Sequence, residues 1–327
     1  SPYRFEGKGM YDTVIENALD VLRQMEEAPA RHLPQSVIDQ IFDDGEVHNL
    51  GHVIPAGDVY VYDDVTSGAA TTFNIIENGE IEYNLHAYGR SKINVCGGDI
   101  NHSLFAYENS TVTLTDGRIT RFQYPYGRLA AYDNARVIMK GGKVDYSLES
   151  HDNSLMTIIR GVNEFVGTCD NSELLIEGGQ VRHYVTVRDE SRTIVKAGDN
   201  GGYRVWENGE LRISGGSARF LELYQNGKAI LSGGEIEERF FLTYDSTVVL
   251  LGEDFCIDGE SLDYGEYYGS DLMGLNGHIT GRLLNGDLLD VDFEMSEGAK
   301  FVLAVPEPCG FVLLVLGGVG VLRRKLR

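Results

Sequence analysis

Asp133, Asp152 and Asp170 occupy the same place in a recurring four-residue pattern, at intervals of 19 and 18 residues. Carboxylates brought together on one face are what a glycoside hydrolase needs for acid and base, and what Ca²⁺ takes as ligands. A row of stacked aspartates would therefore suit a polysaccharide-active enzyme. A plainer account weighs more heavily. Asp is favoured in tight turns because its side chain hydrogen-bonds nearby backbone. The GGxGxD calcium repeat is also missing, since Gly98, Gly142 and Gly179 are followed by Asp99, Lys143 and Gln180. Corner chemistry is the expectation, with no catalytic residue assigned and no cofactor beyond adventitious Ca²⁺.

The second group with chemical potential is the segment Arg121-Phe122-Gln123-Tyr124-Pro125-Tyr126-Gly127-Arg128. It lies in the one long interval of the repeat described below. Aromatic and Arg side chains on a protruding loop stack well on sugars, so Phe122, Tyr124, Tyr126 and Arg128 form a candidate glycan-contact loop. The histidines (His48 and His52; His102, His151 and His183) show no metal-ligand spacing, so no metal residue is assigned. No nucleophile elbow, HExxH or phosphate loop is present. Cys96, Cys169, Cys256 and Cys309 are widely spaced and form no CxxC, which predicts buried free thiols.

What positions these residues is a repeat. Gly closes a short apolar run at Gly79, Gly98, Gly117, Gly142, Gly161, Gly179, Gly198, Gly216, Gly234 and Gly252, mostly 18 or 19 residues apart with one interval of 25. A second marker keeps time with it: Tyr107-Glu108-Asn109-Ser110, Tyr132-Asp133-Asn134-Ala135, and so on to Tyr224-Gln225-Asn226-Gly227 and Tyr244-Asp245-Ser246-Thr247. Between the markers run alternating strands in which Val112 and Leu114, Leu174 and Ile176, or Leu211 and Ile213 face one side. A unit this short cannot enclose a core, but stacked copies can. The expectation is all-β: a single-stranded parallel β-helix of 18–19 residues per coil. Propeller blades need about 40 residues. No strict six-residue subperiod points to a left-handed coil, so a right-handed one is expected. Asn109, Asn134, Asn153, Asn171, Asn208 and Asn226 should then approach an amide ladder.

Four regions follow. Residues 1–45 carry Tyr11, Val14, Ile15, Ala18, Leu19, Leu22 and Met25 on one helical face and form an N-terminal helical cap. Residues 46–252 are the β-helix, and 253–304 an aperiodic C-terminal β cap. Residues 305–327 form a tail with an uncharged helix over 309–322.

The tail reads Pro306-Glu307-Pro308, then an apolar run, then Arg323-Arg324-Lys325-Leu326-Arg327. This order resembles the PEP-CTERM sorting signal of environmental bacteria. The resemblance implies that Pro306, Glu307 and Pro308 are recognised by an exosortase-like membrane processing enzyme, and it implies an association with exopolysaccharide and biofilm. The physics fits: a basic cluster of Arg323, Arg324, Lys325 and Arg327 stops in the cytoplasm and leaves the body outside. The 14-residue run spans only about 21 Å, so snorkelling or local thinning must close the gap to a bilayer core. Without these cations the body holds 24 basic against 50 acidic residues, which excludes nucleic acid as a partner. The expected protein is exported and noncatalytic, at the cell envelope or outside it, transiently anchored by its C-terminal helix. A polysaccharide lyase or hydrolase is the alternative.

Overall fold

The computed structural model describes residues 39–120, 127–272 and 275–305. These form a β-solenoid of about 11 turns, with one short 3₁₀ turn, Gly269–Asp271, the sole helical element among the described residues. Each coil stacks its strands in parallel on those of its neighbours. Thr111–Ile119, for example, pairs with Lys92–Ile100 before it and Arg136–Met139 after it.

Alternation along the strands builds the core. Val112 sits in register with Val137, which pairs with Met156 and then with Leu174, and all four are buried. The neighbouring column, Leu114, Met139, Ile158 and Ile176, is equally buried. Because the side-chain period is two, one residue of slip would turn these columns out to water. The column after the Gly pair begins apolar with Ile100, Ile119 and Val144, and then admits two buried amides, Asn163 and Asn200.

The periodic glycines mark a bend that no side chain fits. Gly216 has φ +85°, and a Cβ there would come within 2.7 Å of the Gly198 carbonyl one coil away. Gly252 keeps the interval but not the role. It faces the backbone of Arg282 on an added antiparallel strand, Asn276–Leu283.

The ends differ in part from the sequence expectation. Of the helical span 1–45, residues 1–38 lie outside the described residues. Within the remainder Gln40–Phe42 is a strand paired with Val59–Val61, because Ile41 and its neighbours complete the first coil's ladder. In 253–304 the chain first leaves the coil through Glu260–Ser261, Gly265–Tyr268 and Asn276–Leu283, whose pairings are antiparallel. It then returns to the ladder. Leu288–Met295 lies parallel on Lys228–Leu242, and Lys300–Ala304 lies parallel on Thr247–Ile257.

Gly216 and Gly259 share φ +85°, but open space surrounds Gly259. Gly259→Ala should cost about 1 kcal/mol, the left-handed penalty alone. Gly216→Ala adds the backbone clash and should cost about 3 kcal/mol. Urea midpoints of the two variants measure the difference; equal midpoints would show that coil spacing yields to a methyl group.

Candidate functional site

The corner tetrads build one edge of the solenoid. Their second residue takes positive φ: Glu108, Asp133, Asp152, Asp170, Asp189, Glu207 and Gln225 all lie at φ between 55° and 59°. The last tetrad is shifted by one. Tyr244 holds the left-handed position (φ 56°), so the corner there is Thr243-Tyr244-Asp245-Ser246. The same i to i+3 backbone bond closes both versions, Ser246 N–H to Thr243 O and Ser110 N–H to Tyr107 O.

A left-handed conformation in a non-glycine residue is strained. The corner carboxylates offset that strain by bonding between coils. Glu108 accepts the Gly89 N–H at 2.6 Å, Asp133 accepts that of Glu108 at 3.0 Å, and Asp152 accepts that of Asp133 at 2.9 Å. Asp170 accepts the Asp152 N–H at 3.1 Å, and Asp189 accepts that of Asp170 at 3.2 Å. Asp133, Asp152 and Asp170 are therefore brought into one row, as their spacing predicts. Each gives an oxygen to the backbone of the coil before it. Beyond Asp189 the row is more crowded, and a hydrogen bond with the Asp189 carboxylate raises the Glu207 pKa.

The expected amide ladder is only partly formed. At the corner the one amide-to-amide bond among the described residues is Asn226 to Asn208, at 3.4 Å. A tighter stack stands at outward strand positions that the corner pattern did not flag: Asn94 donates to Asn74 and Asn74 to Asn49, both at 2.8 Å.

Beside the carboxylate row runs a column of flat rings. Tyr62, Tyr88, Tyr107, Tyr132 and His151 stack in turn at centroid distances of 4.7–5.2 Å and interplanar angles of 9–13°. Further along, Arg188 lies 6.0 Å from the Trp206 ring, which stacks on Tyr224 at 3.9 Å. Each ring covers its neighbour's face, which leaves the inner members only edges to offer a sugar. Burial raises the pKa of Tyr107 and Tyr132 accordingly. The signal was present in the sequence as the first residue of each tetrad, but it reads there as a corner rather than a stack.

The column ends in a polar cluster around Glu149. Arg128 is the first residue of strand Arg128–Ala131 and lies 3.4 Å from Glu149; it belongs to the coil rather than to a free loop. His151 Nε2 is 3.4 Å from the other Glu149 oxygen, and Cys169 follows His151 by one coil, its N–H bonded to Ser150 O. Burial opposes charge on His151, but its bonds to the Cys169 thiol and to Glu149 outweigh that and push it up to about 10. Burial likewise raises Glu149, and the bonds from His151 and Arg128 more than reverse it, so its pKa falls below the usual value. The histidine and the carboxylate thus stand as a close pair, with Cys169 one coil on.

Phe122, Tyr124 and Tyr126, the sorting residues Pro306, Glu307 and Pro308, the cations Arg323, Arg324, Lys325 and Arg327, and the apolar run 309–322 lie outside the described residues. The insertion itself is located by register: Ile119 pairs with Ile100 and Leu129 with Leu104, so the chain between them is six residues longer than in the coil below. Buried thiols were expected, but Cys96 is exposed and Cys169 and Cys256 are partly exposed, because all three sit on outward positions; these three are free. No group of three or more metal-ligating side chains was found among the described residues, and none of their helices is long and apolar enough to cross a membrane. No family model, curated protein or solved structure matches the chain.

At Asp152 the substitutions should rank Asn, then Gly, then Ala in stability. Asn keeps an acceptor and tolerates the left-handed corner, Gly keeps only the conformation, and Ala loses both, at about 1 kcal/mol relative to Gly. Urea midpoints test the order, and an Ala variant equal to Asn would remove the carboxylate ladder from the account.

The Glu149 cluster predicts a pH dependence. A carboxylate with lowered pKa contributes stability above its unfolded value of 4.5 and loses it as pH falls through the folded one. His151 contributes fully below its unfolded value of 6.5 and loses its share as pH rises toward about 10. Glu149→Gln should remove its contribution from the acid flank of the stability–pH curve and lessen the alkaline one, where the Cys169 interaction remains, measured as urea midpoints across the range. An unchanged curve would mean that the cluster makes no net contribution.

Proposed function

We propose that the chain is an exported, noncatalytic β-helix protein of the cell surface or extracellular matrix, delivered through a C-terminal exosortase-type signal. The observation that carries the noncatalytic part is the engagement of the corner carboxylates. A hydrolase or lyase on this edge would need at least one acidic pair free to meet substrate. From Glu108 to Asp189 each carboxylate instead gives one oxygen to a backbone N–H of the adjacent coil, the arrangement of a corner support, while the other oxygen faces water at the exposed corners from Glu108 to Asp170. The ring column supports the same reading, since stacked faces are closed to sugar rings. The order Pro306-Glu307-Pro308, apolar run and basic cluster supports the sorting part.

In this reading the coil is right-handed. Residues 309–322 cross the inner membrane until the processing enzyme acts beside Pro308. The mature solenoid then works as a scaffold or adhesin within exopolysaccharide, touching it through the loop that contains Phe122, Tyr124 and Tyr126. It needs no cofactor, and any Ca²⁺ it takes up is adventitious.

The deciding experiment expresses the full chain in a PEP-CTERM-bearing host and measures its intact mass in each cell fraction, with and without an exosortase. Trimming near Pro308 and appearance at the surface or in the medium are expected, both lost when Pro306-Glu307-Pro308 is changed to Ala. An untrimmed cytosolic product in both strains would overturn the sorting reading. Release of new reducing or unsaturated sugar ends from matrix polysaccharide by the purified protein would overturn the noncatalytic one.

A further inference from the structure

One face of the solenoid carries a pattern that is complementary to itself. Twelve strands stack there, from Val47–Leu50 through Leu155–Ile158 to Lys300–Ala304. Two side-chain columns point outward. The first runs Lys92, Thr111, Arg136, Leu155, Glu173, Arg192 and Glu210 along successive coils. The second, two residues further along each strand, includes Ile138, Thr157, Leu175 and Ile194. Leu155 is 41% exposed, and a shallow groove beside it is lined by Thr157, Leu175 and Ile194 with Arg136, Glu173 and Arg192 at its margins.

We propose that this face is the contact between two copies of the chain, related by a two-fold axis that lies in the contact plane along Leu155–Ile158. That operation keeps each column on itself and reverses the order of coils. Leu155 then meets Leu155, and Ile138 meets Leu175. Arg136 meets Glu173, twice by symmetry, and Lys92 meets Glu210, which already holds Arg212 and Arg192 of its own chain, so the Arg136–Glu173 pair carries the complementarity. Arg136 and Glu173 are exposed, and they form no ion pair among the described residues, so both are open to such a partner.

Charge selects this register over its neighbours. An axis on Arg136, Glu173 or Arg192 sets a like charge on itself. An axis between Leu155 and Glu173 sets Arg136 against Arg192, and one coil in the other direction sets Lys92 against Arg192. An axis between Glu173 and Arg192 sets Arg136 against Lys228. Only the Leu155-centred register puts an apolar residue on the axis and opposite charges on both sides of it. Leu155–Ile158 is also the sixth of the twelve strands, so the two copies overlap along nearly the whole face. At about 4.8 Å per strand and four residues of width, the face measures roughly 700 Å². That is close to the ~800 Å² per partner of a standard specific contact, at its weak end.

The test is sedimentation of the full chain at physiological salt, with circular dichroism to confirm that each exposed-site variant stays folded. Dimers should form with Kd on the order of 10–100 μM. Leu155→Lys, which sets two cations on the axis, should weaken association at least tenfold. Arg136→Glu and Glu173→Arg alone should each weaken it about tenfold, because each creates two like-charge contacts. The double reversal should restore it to within about threefold. A chain monomeric at several hundred micromolar, or a dimer indifferent to Leu155→Lys, would overturn the proposal. Failure of the double reversal to rescue the singles would overturn the register.

Discussion

Every coil of this protein must turn a corner too tight for a relaxed L-residue, and the rest of the structure depends on how that strain is offset. At five successive corners, from Glu108 to Asp189, the chain places an acidic residue at the left-handed position and lets its carboxylate take an N–H from the coil before. The corner therefore does two jobs with one residue. It bends the chain, and it ties consecutive coils outside the strand ladder. The ring column and the glycine bends then hold coil spacing at two further points around the section.

Repetition in the sequence made most of this legible. The 18–19-residue period, the Gly bends and the alternation of Val112 with Leu114 or Leu174 with Ile176 lead directly to a stacked coil, and these residues lie where the period puts them. The aspartate row was visible for the same reason: equal spacing in a constant-period coil is equal height on one edge.

What stayed hidden depends on geometry at the scale of single atoms. Asn and Asp are both turn formers, so composition could not say which of two adjacent residues takes positive φ; the bond from each carboxylate to the neighbouring coil decides it. The ring column mixes Tyr, His, Cys, Arg and Trp, and only their common height reveals that the flat members stack. Arg128 reads as the end of an inserted loop, yet the insertion stops at residue 126 and Arg128 resumes the coil to face Glu149. The excursion after Gly252 obscures the period although the last two strands still obey it.

The carboxylate ladder also has a direction. Each acidic corner serves the coil nearer the N-terminus, never the one nearer the C-terminus. Stripping a coil from the C-terminal end therefore frees a corner N–H on the body that remains, whereas stripping one from the N-terminal end frees a corner carboxylate together with the ladder N–H groups, such as that of Asn134, that had donated to the lost coil. The rod is thus vectorial in its mechanics. A chain that emerges N-terminus first finishes each corner only when the following coil arrives, so assembly advances behind synthesis like a ratchet whose newest tooth is always the one left unsecured.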